Sequence, residues 1–194
     1  MKPVPELDWI ARGLAIWQGY DPAVRCECGG TAILTKQGWV VFDPIPLSDN
    51  AWSELLSVSK VHAIALTSAN HQRESLSLKV LLGAPIHAPE SARGEIEADF
   101  WLKDGEALAG FTLMDLPGAA PGEAAWCDGN HLVLGDALIH FDQLEFLPDK
   151  YCTNPALLRK SARKLLSLNF HTVLFAHGLP LVSKAQEQTA ALIG

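Results

Sequence analysis

Long apolar runs are missing from this chain. No stretch approaches the ~18 consecutive apolar residues from which a membrane-spanning helix is read. The opening segment, MKPVPELDWIARG, contains nothing apolar enough to serve as a signal peptide. Basic residues are also scarce: 15 Lys and Arg stand against 22 Asp and Glu in 194 residues, a net charge of −7. Their one cluster, RKSARK at 159–164, is spaced as the solvated face of a helix. The expectation is therefore a cytoplasmic protein that binds neither nucleic acid nor membrane. Cysteine is limited to four residues, at 26, 28, 127 and 152. Only Cys26 and Cys28 are close-spaced, and a CxC pair with no second pair does not make a four-ligand structural zinc site. Free, partly buried thiols are expected. There is no GxSxG, no P-loop and no dinucleotide fingerprint, so serine-hydrolase, nucleotide and NAD chemistry have no motif behind them.

What the chain does have is a globular balance, 48% hydrophobic against 19% charged. Its length suits one substantial core, so a single domain over residues 1–194 is expected. ARGLAIWQGY, GTAILTK and GWVVFDP read as three strands, the last two joined by a tight turn at Lys36-Gln37-Gly38. SDNAWSELLSVSK offers Ser48, Asp49 and Asn50 as helix caps ahead of Trp52, Leu55 and Leu56. VHAIALT is a strand covered on both faces, and a helix carrying Leu76, Leu78 and Leu82 follows, ending at Gly83. APIHAPE, DFWLKDGEAL, AGFTLMDLPG, EAAWCDGN and HLVLGDALIHF continue as strands. NPALLRKSARKLLSLN is a helix with Asn154 as N-cap and Pro155 in the first turn. HTVLFAHG is a final strand, and LVSKAQEQTAALIG a closing helix. This order predicts an α/β (α+β) αββα sandwich, two mixed sheets packed together with helices outside.

The stretch VHAIALTSANHQRES, residues 61–75, ends a strand in a cluster of short polar side chains with one His and one Arg. WVVFDP, IALT with its polar turn, LPGAAPGEAAW, HLVLGDAL and VLFAHGLPL follow one another in an order that resembles the metallo-β-lactamase superfamily, from about Gly13 to Ile193. The resemblance implies a four-layer sandwich and a metal-dependent hydrolase centre on the loops at the strand ends. It also implies where the metal ligands would fall. The family's H-x-H-x-D-H motif lands on Ser68, Asn70, Gln72 and Arg73, and the His of its G-H-T-P-G segment lands on Ala119. Only Asp136 and His177 keep metal-binding types. The turn thus has the form of a metal loop without its ligands, and Arg73 places a permanent positive charge beside it.

Two functional expectations follow. In the first, the cleft lined by Ser68, Asn70, His71, Arg73, Asp136 and His177 holds no metal, Arg73 pairs with Asp136, and a small anionic molecule or a partner binds there. In the second, His71 turns inward and joins Asp136 and His177 as a His₂-carboxylate set for one zinc ion in a mononuclear hydrolase. A two-zinc centre is not expected under either. His62, His87, His131, His140 and His171 have no cluster spacing and read as ordinary strand or surface residues. Trp39, Trp101 and Trp126 read as core or rim.

Overall fold

The computed structural model describes residues 1–194. Strands β1 (Asp8–Ala11), β2 (Leu14–Asp21), β3 (Cys26–Thr35) and β4 (Gly38–Phe42) form an antiparallel run. Helix α1 (Asp49–Val58) starts at Ser48, whose hydroxyl accepts the Ala51 amide, and returns the chain so that β5 (Val61–Ala65) lies parallel to β4. Helix α2 (Ser75–Leu82) stops at Gly83 in the left-handed region. Strands β6 (Ile86–Pro89) and β7 (Phe100–Leu102) then extend the parallel half, completing a seven-stranded sheet in sequence order.

The second sheet holds β8 (Ala107–Leu108), β9 (Phe111–Asp115), β10 (Ala124–Cys127) and β11 (His131–Leu134), all antiparallel. After the small hairpin of β12 (Leu138–His140) and β13 (Leu144–Phe146), helix α3 (Pro155–Ala162) begins at Asn154, which accepts the Leu157 amide at 3.0 Å. Strand β14 (Thr172–Phe175) inserts parallel to β11, and α4 (Ala185–Ile193) closes the chain. Three local readings need correction, the first being β1, which lies ahead of the expected strand ARGLAIWQGY. The helix expected over 154–169 is α-helical only to Ala162 and tightens to a 3₁₀ turn over Arg163–Ser167, which seats Leu165 in the core at 1% exposure. Strand β13 was not expected, because three residues are too few to show a period.

Period two along the strands decides the layering. In β4, Trp39 and Val41 face α1 and α2, while Val40 and Phe42 face the other sheet. In β11, Val133 points between the sheets, and Leu132 and Leu134 point to α3 and α4. The buried apolar residues accordingly form three clusters: helices on the first sheet, sheet on sheet, and helices on the second sheet. That is the αββα sandwich the element order predicts. Trp39 and Trp126 are fully buried and each gives its indole N–H to a carbonyl, Leu55 O and Leu66 O, both at 2.9 Å. No helix is long and apolar enough to cross a membrane.

Candidate functional site

Parallel pairing brings strand ends to a common edge, and this chain has two such places facing one another. β4 and β5 are parallel in the first sheet; β11 and β14 are parallel in the second. Asp43 follows β4, Thr67 follows β5, Asp136 follows β11 and His177 follows β14, so all four C-terminal ends deliver polar residues to one rim. β3 closes it: the Gly29 amide donates to Ala176 O at 2.8 Å, tying the first sheet to the end of the second.

The innermost group is Asp43, 3% exposed, in the left-handed region with φ +46. Its carboxylate accepts the Thr67 amide at 2.9 Å and the Thr67 hydroxyl at 2.5 Å. The Thr67 oxygen also lies 2.8 Å from His71 Nδ1, and Asp43 Oδ2 lies 3.2 Å from the same nitrogen. A hydroxyl has one proton, and here it goes to the carboxylate. Nδ1 of His71 therefore donates, and in the neutral form of the ring the lone pair sits at Nε2. His177 is held alike: its Nδ1 lies 2.9 Å from Glu27 O, which can only accept, so in the neutral ring the lone pair again sits at Nε2.

Both Nε2 atoms converge on Asp136 Oδ1, at 3.5 Å from His71 and 3.3 Å from His177. The three ligand atoms all lie within 4.8 Å of one another. His71 is 1% exposed and its Nε2 has no hydrogen-bond partner. Three electron-rich atoms facing one point repel unless positive charge sits among them. The titration directions express that demand. Burial opposes charge on Asp136, yet the His71 and His177 imidazoles hold its carboxyl well below the usual carboxylate range. For His71, burial and the Arg73 charge pull downward but are outweighed by Asp43 and Asp136, so its pKa rises. Burial likewise lowers His177, but its contacts with Asp136 and Cys28 leave it raised.

The remaining residues of the polar turn are divided. Asn70 donates to Asp136 Oδ2 at 3.0 Å, leaving Oδ1 for the imidazole side. Ser68 is buried with its hydroxyl unpartnered. Gln72 turns away and donates to Glu97 O, and Ala119 is buried as an apolar residue. Arg73 lies at the rim but does not pair with Asp136, contrary to expectation. Its Nη1 donates to Gly29 O at 3.0 Å and to Asp43 O at 3.4 Å, while Nη2 lies 3.4 Å from His177 Nε2. Its Nη1 is taken instead by those two backbone carbonyls, while Asn70 holds Asp136 Oδ2.

Sequence reasoning missed Asp43 and Glu123 as parts of the site. Asp43 was visible as an acid ending the apolar strand WVVF. Glu123 was visible as an acid opening the apolar run Ala124–Cys127. Its Oε1 accepts the Ala137 amide at 2.9 Å, directly under Asp136. Burial, then the Asp136 charge, pushes the Glu123 carboxyl well above the usual range, which favours its neutral form. Between them stands Gly135, where a side chain would collide with the Thr67 hydroxyl and come 2.8 Å from Glu123 Oε1. Cys26 lies 3.5 Å from His177 Nδ1, and burial followed by Glu27 raises its pKa, so it stands as a thiol. All four cysteines are free, as expected.

Comparison with known proteins agrees with this frame. A model of the metallo-beta-lactamase superfamily matches residues 10–193, and the chain belongs to that superfamily. Its fold is similar to a metallo-beta-lactamase from Pontibacter korlensis, with TM-score 0.74 and 14% identity over 97% of this chain and 98% of that one. It is also similar to metallo-beta-lactamase IND-7, with TM-score 0.70 and 19% identity over 96% of both chains. A third similar structure, TTHA1623 in a di-iron-bound form, gives TM-score 0.64 and 24% identity over 84% of this chain and 93% of that one. No curated protein matches the chain.

Proposed function

We propose that this member of the metallo-β-lactamase superfamily holds one divalent metal ion on His71, Asp136 and His177 and acts as a mononuclear metal-dependent hydrolase. One observation carries the reading: both imidazoles are anchored through Nδ1 and bring their Nε2 atoms to the same carboxylate oxygen. The distances support a cation over a direct hydrogen bond. Tetrahedral ligands at about 2.0–2.1 Å from zinc are about 3.4 Å apart, whereas a charged N–H to carboxylate hydrogen bond is about 2.7–2.9 Å. The 3.3 and 3.5 Å separations fit the first. Asp43 behind His71, and Glu27 O behind His177, orient those rings as outer partners of metal-binding histidines do.

The chemistry such an ion supplies is Lewis acidity, which makes water a competent nucleophile near neutral pH. The protein's own residues set the rest: Asn70 holds Asp136 in one orientation, and Glu123 fixes the backbone on which Asp136 is mounted. A second ion finds no comparable donors, since Ser68, Asn70, Gln72, Arg73 and Ala119 occupy the other motif positions.

One observation favours a second reading, a cleft without metal. Asp136 already faces two imidazoles of raised pKa and the Asn70 amide, and a proton on one ring would supply the missing positive charge. Chelator-stripped protein titrated with zinc separates the two. One equivalent, lost in both His71→Ala and His177→Ala, is the expected result; no retained zinc would establish the metal-free cleft, and two equivalents would refute both readings.

A further inference from the structure

We infer that Arg73 is an oxyanion-binding residue, and that the molecule acted on at this site carries a carboxylate or phosphate group next to the bond that reacts. The second half rests on the hydrolase reading above; the first half does not. The chain holds Arg73 with φ +34, in the left-handed region, a conformation that costs an L-residue roughly 1–2 kcal/mol. A residue at such a position in an exposed turn would ordinarily be Gly or Asn. Here it is an arginine whose side chain is brought back over the rim and pinned there.

The pinning uses one end of the guanidinium. Nη1 is committed to two backbone carbonyls, Gly29 O within β3 and Asp43 O just after the neighbouring strand β4. Those contacts fix the guanidinium's plane and leave its charge uncompensated, because carbonyls are dipoles. None of the chain's ion pairs includes Arg73, although Asp43 and Asp136 both take part in such pairs nearby. Of the five guanidinium N–H groups, the Nη1 pair is used, and Nη2 has one long contact to His177 Nε2 at 3.4 Å. The Nε–H and the rest of Nη2 form the fork that receives an oxyanion through two parallel hydrogen bonds.

Charge balance gives the same answer. A half-buried arginine in a protein of net charge −7 has acidic groups to spare as partners, and its lack of one beside a polar rim is what a ligand-binding cation requires. If a divalent ion also sits on His71, Asp136 and His177, two cations are neighbours, and the nearby carboxylates, Asp136 and Asp43, are both already engaged with the imidazoles. An oxyanion lying against both offsets their repulsion, so anionic ligands would be selected over neutral ones at this centre. The simpler role for Arg73, a tie between Gly29 and Asp43, predicts a stability effect and no dependence on anions.

The test uses orthophosphate as probe and chelator-stripped protein, so that no metal can bind the phosphate itself. Isothermal titration is expected to show one saturable phosphate site in the wild type. Arg73→Ala should weaken it about tenfold or more, and Arg73→Lys should fall between, because it keeps the charge and loses the fork. Arg93→Ala, which removes an exposed arginine paired with Glu90, should bind like the wild type. Should Arg73→Ala fail to fold by circular dichroism, Arg73→Gln replaces it, being neutral while keeping an N–H for Gly29 O. No saturable site in the wild type, or equal affinity in the folded neutral variant, overturns the inference. A zinc titration of the same wild-type sample is read separately. Arg73-dependent phosphate binding in a protein that takes up no zinc sinks the metal reading and with it the substrate half of this inference, leaving Arg73 as an oxyanion site; zinc binding without Arg73-dependent phosphate binding overturns the inference and leaves the metal reading standing.

Discussion

Replacing Asp43 by Asn changes one atom and tests the frame behind the site. Asn tolerates the left-handed backbone that Asp43 occupies at φ +46, so little backbone strain is introduced. What changes is acceptor capacity. The carboxylate takes the Thr67 amide, the Thr67 hydroxyl and a share of His71 Nδ1, at 2.9, 2.5 and 3.2 Å. An amide has one acceptor oxygen, so at least one of these donors is left buried without a partner, and an N–H now faces another donor. Loss of a hydrogen bond to a charged group costs about 1.5–3 kcal/mol, and the stranded donor costs about 1–3 more. A loss of about 3–5 kcal/mol is expected in urea unfolding at pH 7. In the same variant the Thr67 hydroxyl need no longer give its proton to position 43, so His71 can change tautomer and turn its Nε2 proton toward Asp136. Zinc affinity should then fall about 10–100-fold, as for other outer partners of metal-binding histidines, and competition with a chromogenic chelator measures it. Stability lost with zinc affinity unchanged would refute the claim that Asp43 orients His71, and stability unchanged would refute the buried network itself.

Three further outcomes are expected. Gly178→Ala should destabilise by roughly 2–4 kcal/mol in denaturant melts, because φ is +98 there and a methyl group would run into the His140 carbonyl, displacing the turn that carries His177. Leu174→Ala, emptying a fully buried position between the two sheets, should cost about 2–5 kcal/mol, and a loss under about 1 kcal/mol would argue against the two sheets packing at that point. His87 is held neutral, its pKa brought down to about 4 by burial and then by His62. The unfolded chain takes up that proton near pH 6.5 and the folded chain does not, so this residue's contribution is full above pH 6.5 and is lost as pH falls from 6.5 toward 4. Because the ring is partly exposed, the loss is on the order of 1–2 kcal/mol; His87→Gln should flatten the slope of urea midpoint against pH across that window, and an unchanged slope would contradict the assignment.

The layers were legible because their causes are local. Alternation in WVVF and HLVL, the Ser48 and Asn154 caps, and Gly83 at a helix end each act within a few residues, so the chain displays them directly. Arg163–Ser167 was misread because its leucine spacing suits a helix of either kind, and packing of Leu165 selected the tighter one. Asp136 and His177 were nameable from their motifs. Asp43 and Glu123 were not singled out, since an acid beside an apolar strand looks the same whether it ends in solvent or beneath a site.

By itself, then, the sequence determined the four-layer frame, the edge where strand ends meet, and which metal-binding side chains survive there. Tertiary structure alone decided how they are held. Whether His71 faces water or the centre depends on Thr67 and Asp43, from two different strand ends, taking its Nδ1. Whether Arg73 neutralises Asp136 depends on the Gly29 and Asp43 carbonyls taking its Nη1 and on Asn70 holding Asp136 Oδ2. These are competitions among groups up to 134 residues apart, from Asp43 to His177, and only the parallel pairing within each of two facing sheets brings them within hydrogen-bonding range.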